Sequence, residues 1–196
     1  MSGVSAFVLA GGKSSRMGRD KAFVTWEGKT LLERALGTAR AVSGRVWIVG
    51  AKPRFEPFGD VVEDLFPERG PLGGIHAALR GSGMELNLVL AVDLPFVTAG
   101  LLSYLIERAK DSESLAIVPR LVAGWEPLCA VYRQGFAEVA EQALREGRNA
   151  IHPLLDSAAV TAVGEDELVG HGFSARMFRN VNTLRDLGST TGTALD

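Results

Sequence analysis

A chain of 196 residues, 46% hydrophobic and 22% charged, fits one folded domain with a core that can stand without disulfides, and its single cysteine, Cys129, forms no internal one. A net charge of −2 supplies no global electropositive footprint, which argues against nucleic acid or an anionic membrane surface as a partner. No basic leader with a long apolar run follows Met1, and no apolar stretch approaches the ~20 residues that span a bilayer, so a cytoplasmic protein is expected.

The first element is "VSAFVLA" (4–10), apolar on both faces and so a buried strand. In "TLLERALGTARAV", Thr30 and Glu33 have the spacing of a capping box. Leu31, Leu32, Ala35, Leu36 and Ala39 then share one helical face, and Gly44 is the expected stop. "RVWIV" (45–49) is the next strand, and "GDVVED" (59–64) a shorter one leading into "LFPERGPLGG". "GIHAALRG" reads as a helix opened by Gly-Gly, with His76 on its surface. "LNLVLAV" (86–92) is a strand, followed by the helix "LLSYLIERAK" and the strands "LAIVP" (115–119) and "PLCAVY" (127–132), the latter burying Cys129. "FAEVAEQALREG" is a helix closed by Gly147; "AAVTAV" is extended, and "FRNVNTLRDLG" turns into a short helix. Without repeats or a dividing linker, residues 1–196 read as a single domain. Alternating strands and helices predict an α/β fold with a mostly parallel sheet.

In such a sheet, ligands bind outside the carboxyl ends of the strands. Two segments fall there: the glycine-rich stretch "LAGGKSSRMGRDK" (9–21) and Asp93, directly after strand 86–92. Gly11 and Gly12 leave the backbone bare, so a nucleotide can lie against it and meet its N–H groups. Arg16 and Lys21 are placed to reach phosphate oxygens, the one as a planar fork and the other as a compact charge. Asp93 is a hard oxygen ligand suited to Mg²⁺ bridging phosphates, or a turn cap at the strand end. Asp64, at the end of another strand, has two roles open: a hydrogen bond to a base or ribose, or a turn cap.

Other chemistries fail on inventory. The P-loop needs a glycine where Phe7 stands, and neither Gly11 nor Gly12 begins G-x-G-x-x-G. His76, His152 and His171 are scattered and there is one cysteine, which disfavours zinc. No G-x-S-x-G elbow is present. Trp26, Trp47 and Trp125 are far apart and read as packing residues.

These residues resemble the molybdenum cofactor guanylyltransferase family. "LAGGKSSRMGRDK" is similar to its L-A-G-G-x-S-x-R-M-G-x-D-K signature, and "VVEDLFPERGPLGGIHAAL" to its acidic residue followed by G-P-L-G-G. "LAVDLPFV" is similar to its C-D-[MT]-P-F, with Val92 for the common Cys. "VPRLVAGWEPLCAVYR" and "FRNVNTLRDL" resemble two further landmarks, so the likeness runs in order from residue 7 to 187. The resemblance implies a three-layer α/β/α fold of the Rossmann-like nucleotide-diphospho-sugar transferase type. It also implies the reaction of Mg-GTP with molybdenum-bound molybdopterin to give the guanine dinucleotide cofactor and pyrophosphate. By the same resemblance Leu9, Ala10 and Gly11 line the nucleotide, Lys21 contacts its phosphates, Asp64 contacts the nucleotide and Asp93 holds Mg²⁺. Asn180 and Asn182 fall on the acceptor or phosphate side; Arg16 joins on its charge and place. Many members carry an Asn after the second strand, where this chain has Gly50 and Ala51.

Rival readings are a molybdopterin cytidylyltransferase, which more often shows L-A-A-G at the first motif, a sugar-phosphate nucleotidyltransferase, and a nucleotide-binding regulator without turnover. Partners that deliver the acceptor or collect the product, among cofactor biosynthesis proteins or molybdoenzyme chaperones, are implied by the resemblance alone.

Overall fold

Val4–Leu9 forms strand β1, buried at every position but Val4, as its unbroken apolar run predicts. It lies inside the sheet of the computed structural model, which describes residues 3–11 and 21–181. A small hairpin follows, β2 (Thr25–Trp26) and β3 (Lys29–Thr30). Its two turn residues, Glu27 (φ 47°) and Gly28 (φ 78°), take the positive φ that a tight two-residue hairpin demands.

Helix α1 (Leu31–Arg40) starts where the capping box places it: the Glu33 N–H donates to the Thr30 hydroxyl (3.1 Å) and the Thr30 N–H to the Glu33 carboxylate (2.7 Å). Its five apolar-face residues are all buried. The helix ends short of Gly44, and the buried Ser43 hydroxyl turns the chain between the carbonyls of Val4 and Arg45 (2.7 and 2.9 Å).

The remaining elements are β4 (Arg45–Val49), α2 (Lys52–Phe55), β5 (Val61–Val62), α3 (Gly70–Arg80), β6 (Leu86–Ala91) and α4 (Ala99–Lys110). They continue with β7 (Ala116–Leu121), β8 (Gly124–Trp125), β9 (Cys129–Arg133), α5 (Phe136–Arg145), α6 (His152–Ser157), β10 (Val160–Gly164) and α7 (Glu165–Gly170). The sheet runs in the order β10-β7-β9-β6-β1-β4-β5, with β8 paired to β7. β6, β1, β4 and β5 are mutually parallel, β10 is parallel to β7, and β9 runs against both its neighbours. Helices α1 and α4 cover one face and α3 and α5 the other, giving two apolar cores and three layers, as expected.

Two elements depart from the sequence reading. The strand at 59–64 shrinks to Val61–Val62. Helix α3 begins at Gly70, so Gly73 and Gly74 lie inside it rather than opening it. Pro71 sits in its first turn, where a missing N–H costs nothing.

Candidate active site

Because β1, β4, β5 and β6 are parallel, their carboxyl ends share one edge. There the Val92 N–H donates to the Leu9 carbonyl (3.0 Å), and the Ala10 and Gly11 N–H groups both donate to the Val49 carbonyl (3.1 Å each). The glycine-rich stretch thus leaves β1 tied to the ends of β4 and β6, and the two strand-end segments singled out above are direct neighbours. Gly11 and Gly50 meet backbone to backbone: a Cβ on Gly11 would lie 3.4 Å from Gly50 Cα. Leu9 and Ala10 are buried, Leu9 against Gly74, so their side chains belong to the core and the exposed Gly11 is what this strand end offers outward.

Lys21 opens a 3-10 turn, Lys21–Phe23, anchored by the fully buried Ala22 and by Phe23 stacked on Phe55 (centroids 5.9 Å). The Lys21 ammonium lies 3.3 Å from Asp93 Oδ2, with side chains 26% and 22% exposed. Asp93 leaves β6 in a turn closed by the Leu94 N–H on the Ala91 carbonyl (3.3 Å), and its own carbonyl accepts from the Val181 N–H (2.9 Å). The exposed Asn180 therefore sits one residue from a bond to Asp93. The edge gathers Gly11, Lys21, Asp93 and Asn180; Gly12, Arg16 and Asn182 lie outside the described residues.

Asp64 stands at the same edge, two residues beyond β5. Its Oδ1 accepts the Phe66 N–H (2.8 Å), so it does cap a turn. Burial raises its pKa, against the lowering influence of that N–H and of His76. Its carboxylate fills the space beside Gly73, where a Cβ would lie 2.9 Å from Oδ2 and 3.0 Å from the Phe66 carbonyl. His76 is not a surface residue: it is 1% exposed, edge-on to Phe66 (centroids 5.1 Å), with Nε2 3.5 Å from Glu141 of α5.

Glu126 falls in the landmark "VPRLVAGWEPLCAVYR", where sequence reasoning gave it no role. β7 runs parallel to β6, since both oppose β9, so the β7–β8 hairpin reaches the same edge. The Glu126 N–H donates to the Pro119 carbonyl (2.9 Å), its carbonyl accepts from Cys129 (3.2 Å), and Leu128 accepts from Ala91 (2.7 Å). Its carboxyl is half-buried with no side-chain partner among the described residues, and burial pushes its pKa up to about 7. The available signal was an acid between Trp125 and Pro127 in an otherwise apolar segment.

Among the described residues no three His, Cys, Asp or Glu side chains converge as a ready-made metal cage. A single part-exposed carboxylate, Asp93, fits Mg²⁺, which is held by one or two carboxylates with the rest of its shell from phosphates and water. No described helix is long and apolar enough to cross a membrane.

A bare backbone and a Lys–Asp pair thus lie at the carboxyl edge of a mostly parallel sheet, the edge at which α/β folds bind their ligands. Residues 6–163 match the family described as the MobA-like NTP transferase domain, and the chain belongs to that family. It is 34% identical over 190 residues to the molybdenum cofactor guanylyltransferase of Desulfosudis oleivorans, covering 95% of this chain and 94% of that protein. Among solved structures it is similar to molybdopterin-guanine dinucleotide biosynthesis protein A from Archaeoglobus fulgidus (TM-score 0.82, 28% identity, 94% and 95% of the chains). The fold also recurs in the 2-C-methyl-D-erythritol 4-phosphate cytidylyltransferase of Thermus thermophilus (TM-score 0.68, 20% identity, 95% and 96%). The fold is thus that of the nucleotide-diphospho-sugar transferases, and the protein is a nucleotidyltransferase.

Proposed function

We propose that this protein transfers GMP from GTP to the terminal phosphate of molybdenum-bound molybdopterin, giving the guanine dinucleotide cofactor and pyrophosphate. The observation that carries the reading is the Lys21–Asp93 pair, 3.3 Å apart, beside Gly11 where β1 and β6 end. The names of its relatives supply the base and the acceptor.

The acceptor phosphate oxygen attacks the α-phosphorus of GTP in line. The bond from that phosphorus to the bridging oxygen breaks, and pyrophosphate leaves with the electron pair. A phosphate monoester is already anionic near neutral pH, so no strong general base is needed and no covalent enzyme intermediate forms. Lys21 sets its charge against the phosphate oxygens, Gly11 and Gly12 let the nucleotide lie on the backbone, and Arg16 adds a second cation. Leu9 and Ala10 hold that backbone in place from the core, and Asp64 contacts the nucleotide from the end of β5. Asn180 and Asn182 serve the acceptor side. Mg²⁺, held by Asp93 and phosphate oxygens, would supply charge neutralisation on the triphosphate. We place the reaction in the cytoplasm, where the buried Cys129 stays reduced, with partner proteins supplying acceptor and receiving product.

The test is to incubate the purified protein with Mg²⁺, molybdenum-loaded molybdopterin and either GTP or CTP, following pyrophosphate and dinucleotide. Product from GTP alone is expected. Product from CTP alone would overturn the base, and none from either the reaction.

A further inference from the structure

Guanine and a pterin present the same recognition edge, a ring N–H beside an exocyclic amine on a 2-aminopyrimidinone. Two donors side by side are answered by the two oxygens of a carboxylate. Both molecules take part in the reaction proposed above, so the site needs two such answers and has to keep them apart.

Two part-buried carboxyls stand at the strand-end edge with burial as the leading cause of a raised pKa, Asp64 and Glu126. The strand order separates them. Asp64 follows β5 at one end of the run β7-β9-β6-β1-β4-β5, and Glu126 follows β8 on β7 at the other. Asp93, at the end of β6, lies between them. Gly11 and Gly50 lie at the ends of β1 and β4, on the Asp64 side. One oxygen of Asp64 is already engaged by Phe66, whereas the Glu126 carboxylate has no hydrogen-bond partner among the described residues. A part-buried carboxylate with no protein partner weakens the fold when it is charged, and an apolar residue at this position would not. Such a cost is characteristic of a group kept for a ligand.

We propose that Glu126 reads the 2-aminopyrimidinone edge of the acceptor's pterin, on the far side of Asp93 from the nucleotide. The identity of that acceptor rests on the guanylyl-transfer reading. Glu126 accepts two hydrogen bonds there, from the ring N–H and the exocyclic amine, and discriminates against acceptors that lack the donor pair. A site built to bond two donors loses affinity steeply when one acceptor is taken away.

The full-length protein and its Glu126→Gln and Glu126→Ala variants would be titrated with 6-hydroxymethylpterin, followed by pterin fluorescence, and separately with Mg-GTP by calorimetry. Melting curves confirm that each variant is folded, and Glu126→Gln keeps the side-chain volume if Glu126→Ala does not fold. The expected result is a loss of about tenfold or more in pterin affinity for Glu126→Gln, with GTP affinity within about twofold. In turnover the same variant raises the acceptor KM and leaves the GTP KM in place. A loss that falls on GTP instead would assign the edge to guanine and overturn the proposal. Unchanged pterin binding, or a wild-type protein that binds no pterin, would overturn it as well. Glu126-dependent pterin binding in a protein that makes no guanine dinucleotide would sink the proposed reaction and leave the pterin site standing.

Discussion

Lys21 Nζ and Asp93 Oδ2 lie 3.3 Å apart, though 72 residues separate them in the chain. Each is fixed separately: Lys21 by the 3-10 turn whose Ala22 is buried, Asp93 by the turn after β6 and the Val181 N–H on its carbonyl. A pair this exposed contributes no more than about 1 kcal/mol to stability. The triphosphate and Mg²⁺ of the proposed reaction would use both, the anion for the metal and the cation for the phosphates.

Asp93→Asn should therefore separate chemistry from folding. The amide keeps the shape of the carboxylate and discards its charge. Loss of a group that stabilises transition-state charge costs about 3–4 kcal/mol, a drop of roughly 10²–10³ in kcat. The melting temperature should move by only a few degrees, because the ion pair is partly exposed. Lys21→Ala should behave alike. Steady-state turnover with GTP and acceptor, beside a melting curve, decides the matter; near-normal kcat in Asp93→Asn removes it from the reaction.

How much of this edge was legible depends on how local each signal is. β1 and β6 are unbroken apolar runs, so their ends, and with them Gly11 and Asp93, could be read directly. The capping box of α1 needs only residues 30 and 33 and was equally plain. His76 was misread because its burial is made by Phe66 and by Glu141, 65 residues further on. Glu126 escaped because its desolvation comes from the hairpin packing at the end of β6, which no spacing announces. Gly73 and Gly74 read as the opening of a helix in the sequence, whereas they lie inside it. Their reason, a carboxylate and a leucine pressed against the helix, is tertiary.

Gly73→Ala tests that last contact. A Cβ would meet Asp64 Oδ2 at 2.9 Å and the Phe66 carbonyl at 3.0 Å, and the carbonyl is backbone that cannot swing aside. The substitution should destabilise the protein by about 1–3 kcal/mol and raise the GTP KM by displacing Asp64, with the acceptor KM unchanged. Gly37→Ala is the control: it lies mid-helix with nothing near its Cβ, and should stabilise by up to about 1 kcal/mol. Urea unfolding and paired KM values report both; an unmoved GTP KM in Gly73→Ala would detach Asp64 from the nucleotide.

The missing Asn after β4 has a steric account. A Cβ on Gly50 would stand 2.7 Å from Phe55 Cε2, and Phe55 is 1% exposed with its ring stacked on Phe23 in the turn that carries Lys21. Gly50→Asn should cost about 1–3 kcal/mol by overpacking and lower turnover by disturbing Lys21. Ala51→Asn meets no such obstacle. Ala51 is the exposed, extended N-cap of α2 with no side-chain cap, and Asn is among the best residues there. It should hold or raise stability. A Gly50→Asn variant as stable as the wild type would show that packing is not what keeps a side chain out.

The pH dependence of stability carries a signature of Glu126. Burial raises its pKa from 4.5 to about 7, so between those values the folded protein binds a proton that the unfolded chain has released. Stability from this group is whole below 4.5 and is lost as pH rises towards about 7. Glu126→Gln removes the charge that burial penalises. With allowance for the half-exposed setting, it should be more stable than wild type by about 1 kcal/mol near pH 8 and equal to it near pH 4. The neighbouring Cys129 thiol is pushed far above this range by burial and then by the Glu126 charge, so it stays neutral throughout. Urea unfolding of both proteins at the two pH values measures the difference. A variant that is more stable near pH 8, yet binds the acceptor worse, would identify Glu126 as a carboxylate held against the interest of the fold; equal stability at both would show that solvent reaches it freely.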